Sequence, residues 1–384
     1  MAQNVAIVGV GQTHHKAKRA DVNIVEMIHE AVLRCLADAE LRIDQVDAVL
    51  IGNMEQFEGV HLSDMWAADV SGALGRCGVK ITSGGSTGTS LSLAAYYYVA
   101  SGLFDTVMCI GWEKQSEGDT TAGLISATDP IWERACFAGA FGTFAASARE
   151  FMKEFGVTEE HAAKVAVKNR QNGLRNPYAH LKLDITVSDV LQSQMLADPI
   201  RMLDMCPASE GACALLFGAE EKAKKITDRP AWVAAVETRH DSPFIGDTLM
   251  LKDLRTLRAA SAAAYKKAGI TNPLKELDVI ELYEPVSWAE ISFLDALWLC
   301  EPGKIKDLIE AGVTTMEGEL PVNPSGGVLC TNPIGATAML RVAEAAIQIR
   351  GQGGERQLSN VRTALATGFG GNFWSDVMIL RSTL

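Results

Sequence analysis

Apolar runs typical of buried strands alternate along the chain with stretches whose apolar residues recur at helical spacing. This alternation predicts an α/β architecture, because helices that follow strands can cover the faces of a sheet. In the first part of the chain the predicted elements are strands at 5–9, 46–52 and 105–111, helices at 22–39 and 90–100, and a turn of small residues at 83–88.

The same order of elements recurs in the second part of the chain. It predicts strands at 232–236, 277–283 and 361–367, helices at about 254–268 and 335–349, and a glycine turn at 325–327. Two copies in register indicate an internally duplicated fold. We expect a first half at 1–228 and a second half at 229–384. The region from about 112 to 200 is less regular, and we interpret it as a loop insertion that contains a helix at 159–172.

The composition excludes several classes of protein. The 384 residues include 35 Lys and Arg against 47 Asp and Glu, a net charge of −12, which disfavours nucleic-acid binding. No stretch has the roughly 18 apolar residues of a membrane span, and no basic segment precedes the N-terminal apolar run. We therefore expect no membrane anchor and no signal peptide. Eight cysteines without a C-x-x-C pair indicate reduced thiols in a cytoplasmic protein with no metal site of its own.

Two glycine motifs suggest other chemistries, and both are incomplete. Gly9-Val-Gly11 suggests a dinucleotide-binding turn, but His14 stands where the third glycine belongs, so a plain tight turn is the better interpretation. The segment 84–88 matches the G-x-S-x-G nucleophile elbow, yet a hydrolase needs a histidine late in the chain and the last one is His240. All seven histidines lie outside the glycine turns. We expect them at the surface, which disfavours an imidazole base.

Several motifs are similar to those of one enzyme family. Asn323-Pro-Ser-Gly-Gly327 followed by Asn332-Pro-Ile-Gly-Ala-Thr337 resembles the thiolase stretch N-P-S-G-G…G-H-P-x-G-A-T. Thr367-Gly-Phe-Gly-Gly371 resembles the C-terminal C-x-G-G turn. Cys206-Pro-Ala-Ser-Glu-Gly-Ala212 and Gly111-Trp-Glu-Lys114 are similar to segments of the sterol-carrier-type branch. The chain is therefore identified as a member of the thiolase superfamily, and the resemblance implies a duplicated, five-layered αβαβα fold.

The resemblance breaks down at the side chains on which thiolases depend. Gly85 stands at the position of the nucleophilic cysteine, at the start of the helix after the first glycine turn. Tyr283 replaces the histidine of the H-D-x-F motif, and Asn332 replaces the histidine of G-H-P in a loop one residue shorter. Gly368 replaces the C-terminal cysteine. All four usual side chains are changed.

The resemblance leaves a set of hydrogen-bond donors for a thioester or enolate oxygen. The N–H groups of Gly85 and Ser86 are expected at a helix N-terminus, where the partial positive charge favours an anion. Gly370 stands where the family uses a backbone N–H in the same oxyanion hole, and Asn332 can donate to a second oxygen. Preorganised donors of this kind stabilise a developing charge.

Three side chains are candidates for the reactive groups. Tyr283 is the one titratable side chain at a family catalytic position, and it can transfer a proton if its pKa falls below the usual value of about 10. Glu284 either orients that phenol or acts as a base, or it is a surface carboxylate at the end of a strand. Cys330, two residues before Asn332, is either a nucleophile or acid, or a small apolar core residue.

The resemblance implies chemistry on a carbon–carbon bond beside a coenzyme A thioester. Two branches share these departures: the steroid side-chain aldolases, and the thiolase subunits that pair with a small zinc-ribbon/OB-fold protein, among them benzoylsuccinyl-CoA thiolase. The loop at 332–337 is most similar to the second branch. We therefore predict thiolytic cleavage of an unusual β-oxoacyl-CoA, and aromatic acyl groups are among the candidate substrates. Retro-aldol cleavage of a β-hydroxyacyl-CoA and a catalytically silent scaffold are the alternatives.

The resemblance also implies partners. Thiolases pair through the strand and helix that flank the nucleophile turn, here about 79–100, so we expect a homodimer. A small zinc-ribbon/OB-fold subunit is the second expected partner, and any zinc comes with that subunit because this chain has no zinc-ligand spacing.

Overall fold

The structure is a computed structural model, and it describes residues 3–135, 139–242, 244, 253–371 and 374–384. Its strands are β1 (Val5–Gln12), β2 (Ala48–Gly52), β3 (Cys77–Lys80), β4 (Thr106–Lys114), β5 (Met195–Ala197), β6 (Ile200–Arg201), β7 (Glu210–Ala219), β8 (Ala231–His240), β9 (Val279–Glu281), β10 (Thr363–Phe369) and β11 (Trp374–Arg381).

The α-helices of the described ranges vary from single turns to almost five turns. They are α1 (Ile24–Asp38), α2 (Ser63–Ala67), α3 (Thr87–Ala100), α4 (Thr120–Ser126), α5 (Gly139–Phe155), α6 (Glu159–Leu174), α7 (Val187–Gln192), α8 (Glu220–Ile226), α9 (Arg255–Ala268), α10 (Pro273–Glu276), α11 (Ser287–Ala296), α12 (Ile305–Glu310), α13 (Gly327–Cys330) and α14 (Ile334–Arg350). None of these described helices has the length and apolar character needed to cross a membrane.

The main sheet repeats one arrangement twice. Its nine strands run in the order β3-β2-β4-β7-β1-β8-β11-β10-β9. In the first half β2 is parallel to β4, while β7 is antiparallel to both β4 and β1. In the second half β9 is parallel to β10, while β11 is antiparallel to both β10 and β8. The halves meet where β1 pairs with β8 over two residue pairs, Ala6 with Trp232 and Ile7 with Ala231.

Helices cover both faces of each half. Helices α3 and α14 pack on each other between the two halves, while α1 lies on the outer side of the first half and α9 on that of the second. Side chains alternate across each strand. Val5 and Ile7 of β1 face the central helices, whereas Ala6 and Val8 face α1. The expected duplicated αβαβα fold is confirmed.

The predicted strands and helices are confirmed, with ends that differ by up to four residues, but several other elements were not predicted, among them β3, α5, α11 and β11. Strand β11 carries Ser375 and Asp376 near its start, a polar pair that breaks the apolar pattern of a buried strand. Both side chains have buried partners: Ser375 Oγ lies 2.8 Å from Thr256 Oγ1, and Asp376 Oδ2 accepts a 2.6 Å bond from Thr89. Tertiary contacts therefore stabilise the polar start of this strand, whereas its second half, 377–380, is an apolar run typical of a buried strand.

The surface expectation for the histidines is wrong at two positions. His15 is buried, and this burial lowers its pKa to about 3, so its ring is neutral. His161 is also buried, and its Nδ1 lies 2.7 Å from the Thr158 hydroxyl at the start of α6.

Candidate active site

A cavity of about 240 Å³ opens where the first glycine turn, the segment after β9, the loop before α14 and the end of β10 meet. Its wall is predominantly apolar, and α4 and α5 of the insertion contribute part of it. The large apolar side chains that line it are Met54, Phe57, Leu124, Phe141, Phe144, Met205, Ile334 and Phe369. Tyr283, Cys206 and Asn332 add polar groups to the same wall.

The Tyr283 hydroxyl takes the space of the missing nucleophile. Tyr283 is buried, and its backbone N–H is fixed by a 2.8 Å bond to Thr367 Oγ1. A Cβ added to Gly85 would stand 3.0 Å from the Tyr283 hydroxyl oxygen and closer still to the Phe369 carbonyl oxygen. A larger side chain at position 85 would therefore overlap the Phe369 carbonyl and crowd this phenol.

The place of the second family cysteine is also filled. A Cβ added to Gly368 would overlap the side-chain oxygen of Thr89, a residue of α3. That hydroxyl donates a 2.6 Å bond to the buried Asp376 carboxylate. Burial raises the pKa of Asp376, and the hydrogen bond from Thr89 opposes that rise. Side chains from other elements therefore crowd both cysteine positions, Tyr283 at Gly85 and Thr89 at Gly368.

A chain of hydrogen bonds joins the polar groups of the cavity. The Thr337 hydroxyl on α14 donates a 2.8 Å bond to Asn332 Oδ1, and Asn332 Nδ2 donates to Cys206 Sγ at 3.3 Å. Burial raises the pKa of the Tyr283 phenol far above its usual range, while a hydrogen bond with Thr337 lowers it in part. Burial likewise raises the pKa of the Cys206 thiol to about 12. Tyr283 and Cys206 are therefore neutral near pH 7.

The expected oxyanion donors are only partly in place. Helix α3 begins at Thr87, so the N–H groups of Gly85 and Ser86 lie at its N-terminal end, where main-chain donors have no partner within the helix. Gly370 differs from the expectation: its N–H donates a 2.9 Å bond to the Trp374 carbonyl oxygen and is not free for a ligand. Asn332 supplies the remaining donor through its side-chain amide.

Glu284 and Cys330 are not among the residues that line the cavity. Glu284 is buried, not at the surface, and its Oε1 accepts 3.2 Å bonds from Asn169 Nδ2 and the Leu329 N–H. Burial, with repulsion from Glu290, raises its pKa to about 8. Cys330 donates a 3.3 Å bond from Sγ to the Asn169 carbonyl oxygen, and burial raises its pKa to about 11. These two residues belong to a buried cluster beside α6.

Two residues of the site were not singled out from the sequence. Cys206 and Thr337 stand inside motifs that carry the family resemblance, but no role was assigned to either. Their place in these motifs was the one sequence feature that could have pointed to them. Only the fold shows that both side chains form hydrogen bonds with Asn332. Among the described residues, no group of three or more metal-binding side chains comes together.

Comparison with known proteins agrees with this architecture. Residues 5–221 match the family model described as Thiolase, N-terminal domain, and residues 239–383 match Thiolase C-terminal domain-like. The chain therefore belongs to the thiolase family, and it is an enzyme of acyl-CoA carbon–carbon bond chemistry.

Two curated relatives span almost the whole chain. An acetyl-CoA acetyltransferase of Methanothermobacter thermautotrophicus is 32% identical over 380 residues, which cover 96% of this chain and 97% of the relative. The benzoylsuccinyl-CoA thiolase subunit BbsB of Thauera aromatica is 29% identical over 369 residues, which cover 92% of this chain and 90% of the relative.

Two solved structures share the fold. A chain of the Ltp2-ChsH2(DUF35) aldolase superposes with a TM-score of 0.84 at 23% identity, over 99% of this chain and 98% of that one. Human mitochondrial 3-ketoacyl-CoA thiolase in complex with CoA gives a TM-score of 0.75 at 16% identity, over 100% of both chains.

Proposed function

We propose that the chain cleaves the bond between the α and β carbons of a β-hydroxyacyl-CoA by a retro-aldol reaction, without an acyl-enzyme. The observation that carries the proposal is the Tyr283 hydroxyl, which takes the space of a side chain at position 85. A covalent thiolase needs a thiolate at that point. The cysteine on the described cavity wall, Cys206, stays a protonated thiol because burial raises its pKa to about 12.

The size of the cavity supports one of the two cleavage reactions over the other. Without an acyl-enzyme, thiolysis needs the substrate thioester and a second coenzyme A thiol in the cavity at once. Ligand sites usually measure about 300–1,000 Å³. The cavity here, about 240 Å³, suits one thioester arm. A retro-aldol reaction needs only one arm, so the cavity supports it better than the thiolysis that the sequence favours.

The proposed reaction moves one proton and one electron pair. The β-hydroxyl loses its proton and becomes a carbonyl, the Cα–Cβ bond breaks, and its electron pair passes to the thioester as an enolate. The enolate oxygen accepts hydrogen bonds from the Asn332 amide and from N–H groups at the N-terminus of α3. The Tyr283 phenol acts as a proton shuttle: its oxygen takes up the β-hydroxyl proton while its own proton passes to the α carbon, so the phenol is protonated before and after the reaction.

The cavity wall indicates the class of acyl group. Phe57, Phe141, Phe144 and Phe369 line it together with two methionines. Aromatic walls favour flat, apolar ligands, because stacked and edge-on rings gain energy beyond their buried area. We propose an aromatic β-hydroxyacyl group, or a similarly flat and apolar one, on coenzyme A.

The assembly that we propose has two kinds of contact. A homodimer forms through the edge strand β3 and its surroundings, and a small zinc-ribbon/OB-fold subunit completes the enzyme in the cytoplasm. Support for the second partner comes from the names of two similar proteins, the subunit BbsB and the Ltp2-ChsH2(DUF35) aldolase.

Product analysis tests the proposed function. The chain is incubated, with and without a zinc-ribbon/OB-fold subunit from its own genome, with an aromatic β-hydroxyacyl-CoA, or with the matching β-oxoacyl-CoA plus coenzyme A. Retro-aldol cleavage gives an aldehyde or ketone and one shorter CoA thioester. Two CoA thioesters from the β-oxoacyl substrate would establish thiolysis instead, which the similarity to BbsB favours. No turnover of either substrate would leave the scaffold role and overturn the proposal.

A further inference from the structure

We propose that Thr337 is a positioning residue, which fixes the side-chain amide of Asn332 so that its N–H groups, not its oxygen, face the reacting thioester. This inference rests on the proposed function, in which Asn332 donates to the enolate oxygen. Thr337 lies in the first turn of α14 and is fully buried. Its hydroxyl donates a 2.8 Å bond to Asn332 Oδ1, and Asn332 Nδ2 then points to Cys206 Sγ, 3.3 Å away on the cavity wall.

The two ends of an amide have opposite hydrogen-bonding character. The oxygen accepts and the NH₂ group donates, so a rotation of about 180° exchanges a donor for an acceptor at the same point in space. An acceptor in the cavity would repel a developing enolate. Because the Thr337 hydroxyl donates to Oδ1, it stabilises the orientation in which Nδ2 faces Cys206 and the cavity.

The backbone of Asn332 is held by different residues. Its N–H donates a 3.0 Å bond to Ser209 Oγ, and its carbonyl oxygen accepts a 2.6 Å bond from Gln115 Nε2. These bonds fix the position of the residue but leave the end of its side chain free to turn. The orientation of the amide therefore depends on its own partners, Thr337 and Cys206. Both partners can donate as well as accept, but a hydroxyl is a much stronger donor to an amide oxygen than a thiol is, so the bond from Thr337 to Oδ1 favours this orientation.

A pair of variants separates the hydroxyl from the rest of the side chain. Thr337→Val has nearly the same shape and lacks the hydroxyl, whereas Thr337→Ser keeps it. In the retro-aldol assay with the partner subunit we expect Thr337→Val to lower kcat by about 10- to 100-fold with KM changed much less. Thr337→Ser should retain activity within about threefold of the original chain. In an Asn332→Ala background, Thr337→Val should lower kcat much less than in the original chain, and the loss that remains measures the hydrogen bond of Thr337 with Tyr283.

Three kinetic results would overturn the inference: Thr337→Val with unchanged kcat, equal losses in Thr337→Val and Thr337→Ser, or a full additional loss in the Asn332→Ala background. A second measurement does not depend on activity. Urea unfolding of the two single variants and the double variant should show a coupling of about three- to tenfold in the unfolding equilibrium constant.

That second measurement keeps the two proposals apart. If the unmodified enzyme turns over no CoA thioester, the proposed function fails, while coupling between Thr337 and Asn332 still supports the contact that fixes the amide. If the enzyme is active and the unfolding cycle shows no coupling, the inference fails and the proposed function stands.

Discussion

The hydroxyl oxygen of Tyr283 lies 3.0 Å from the point at which a side chain on Gly85 would begin. The absence of the nucleophilic cysteine at position 85 and the replacement of the family histidine by Tyr283 are therefore linked, because the phenol lies beside the position of the missing side chain. Where thiolases place a nucleophilic sulfur at the start of α3, this enzyme places a phenol from the opposite half of the duplicated fold. Burial raises the pKa of this phenol far above its usual range, the opposite of the lowered pKa that proton transfer by Tyr283 was expected to need. The group is therefore a protonated phenol at rest, which can donate a hydrogen bond but is not a phenolate base.

Tyr283→Phe should abolish most activity while the protein still folds and binds coenzyme A. Loss of a proton-transfer group typically lowers the rate by about 10²- to 10⁴-fold. The measurements are kcat with an aromatic β-hydroxyacyl-CoA, circular dichroism for the fold and calorimetry for coenzyme A binding. Tyr265→Phe is a matched control, because that phenol is also buried but donates to the Leu297 carbonyl oxygen in another part of the core. A Tyr283→Phe enzyme with normal kcat would remove Tyr283 from the mechanism.

Gly85→Cys should not restore covalent thiolase chemistry. The new Cβ would crowd the Tyr283 hydroxyl and the Phe369 carbonyl, and overpacking of this kind costs about 1–3 kcal/mol of stability. We expect a lower unfolding midpoint in urea and no acyl adduct on the introduced thiol by mass spectrometry. Ser101→Cys, at the exposed C-terminal end of the same helix, is the control and should change the midpoint little. An acylated, active Gly85→Cys enzyme would show that the phenol can move aside.

Cys330→Ala should leave kcat within about threefold, because its thiol bonds to the Asn169 carbonyl and lies outside the cavity wall. Its effect should be on stability, since removal of a buried sulfur leaves a small void. Cys206→Ala, which changes the cavity wall beside Asn332, is the comparison and should alter KM or kcat more. A larger loss of activity in Cys330→Ala than in Cys206→Ala would contradict these placements.

The contribution of Glu284 to stability should fall as the pH rises from about 5 to about 8. In the folded chain the pKa of Glu284 is raised to about 8, so the folded state holds a proton that the unfolded state has lost above its ordinary pKa of about 4.3. A group of this kind stabilises the protein fully at low pH, and the contribution is lost as the pH passes through the folded pKa. Glu284→Gln should flatten the pH dependence of the free energy of unfolding, whereas the exposed Glu317→Gln should not. An unchanged slope in Glu284→Gln would show that the carboxyl is ionised in the fold.

An exposed apolar patch beside the edge strand β3 should mediate the homodimer. It consists of Leu62, Met65, Trp66, Leu74 and Val79. Helix α2 lies next to β3, since Lys80 Nζ is 3.7 Å from Asp64 Oδ1. Trp66→Lys combined with Val79→Lys should weaken self-association by at least about tenfold in sedimentation velocity. Leu384→Lys, at the exposed C-terminus, is the control. A double variant that stays as dimeric as the control would place the interface elsewhere.

Local patterns predicted most of the fold because most elements are regular in the sequence. The duplication followed from matching strands, helices and glycine turns in the two halves, and the sheet order shows the same repeat. The start of strand β11 is not readable from local hydropathy, because Ser375 and Asp376 depend on partners in α9 and α3. Because this strand was not predicted, the sequence could not show that the Gly370 N–H donates to the Trp374 carbonyl oxygen at its start and is not an oxyanion donor.

Tyr283 and Asn332 could be placed in the candidate site from the sequence, because both align with catalytic positions of the family and both line the cavity. Neighbours in sequence were less predictable, because Tyr283 lines the cavity while Glu284, the next residue, points to Asn169 and α6. Cys330 precedes the loop that turns towards the cavity, so it remains in the core. Thr337 is identified only when the start of α14 is known, since the helix brings its hydroxyl back to Asn332.

Intact-protein mass spectrometry of the enzyme, quenched during turnover, tests the central claim most directly. The chain, with its partner subunit, is mixed with an aromatic β-hydroxyacyl-CoA or β-oxoacyl-CoA and acid-quenched at times shorter and longer than one turnover. The account predicts that the chain keeps its unmodified mass throughout, while a shorter CoA thioester accumulates. A transient increase by the mass of an acyl group, on Cys206, Cys330 or any other residue, would contradict it and establish a thiolase with a relocated nucleophile.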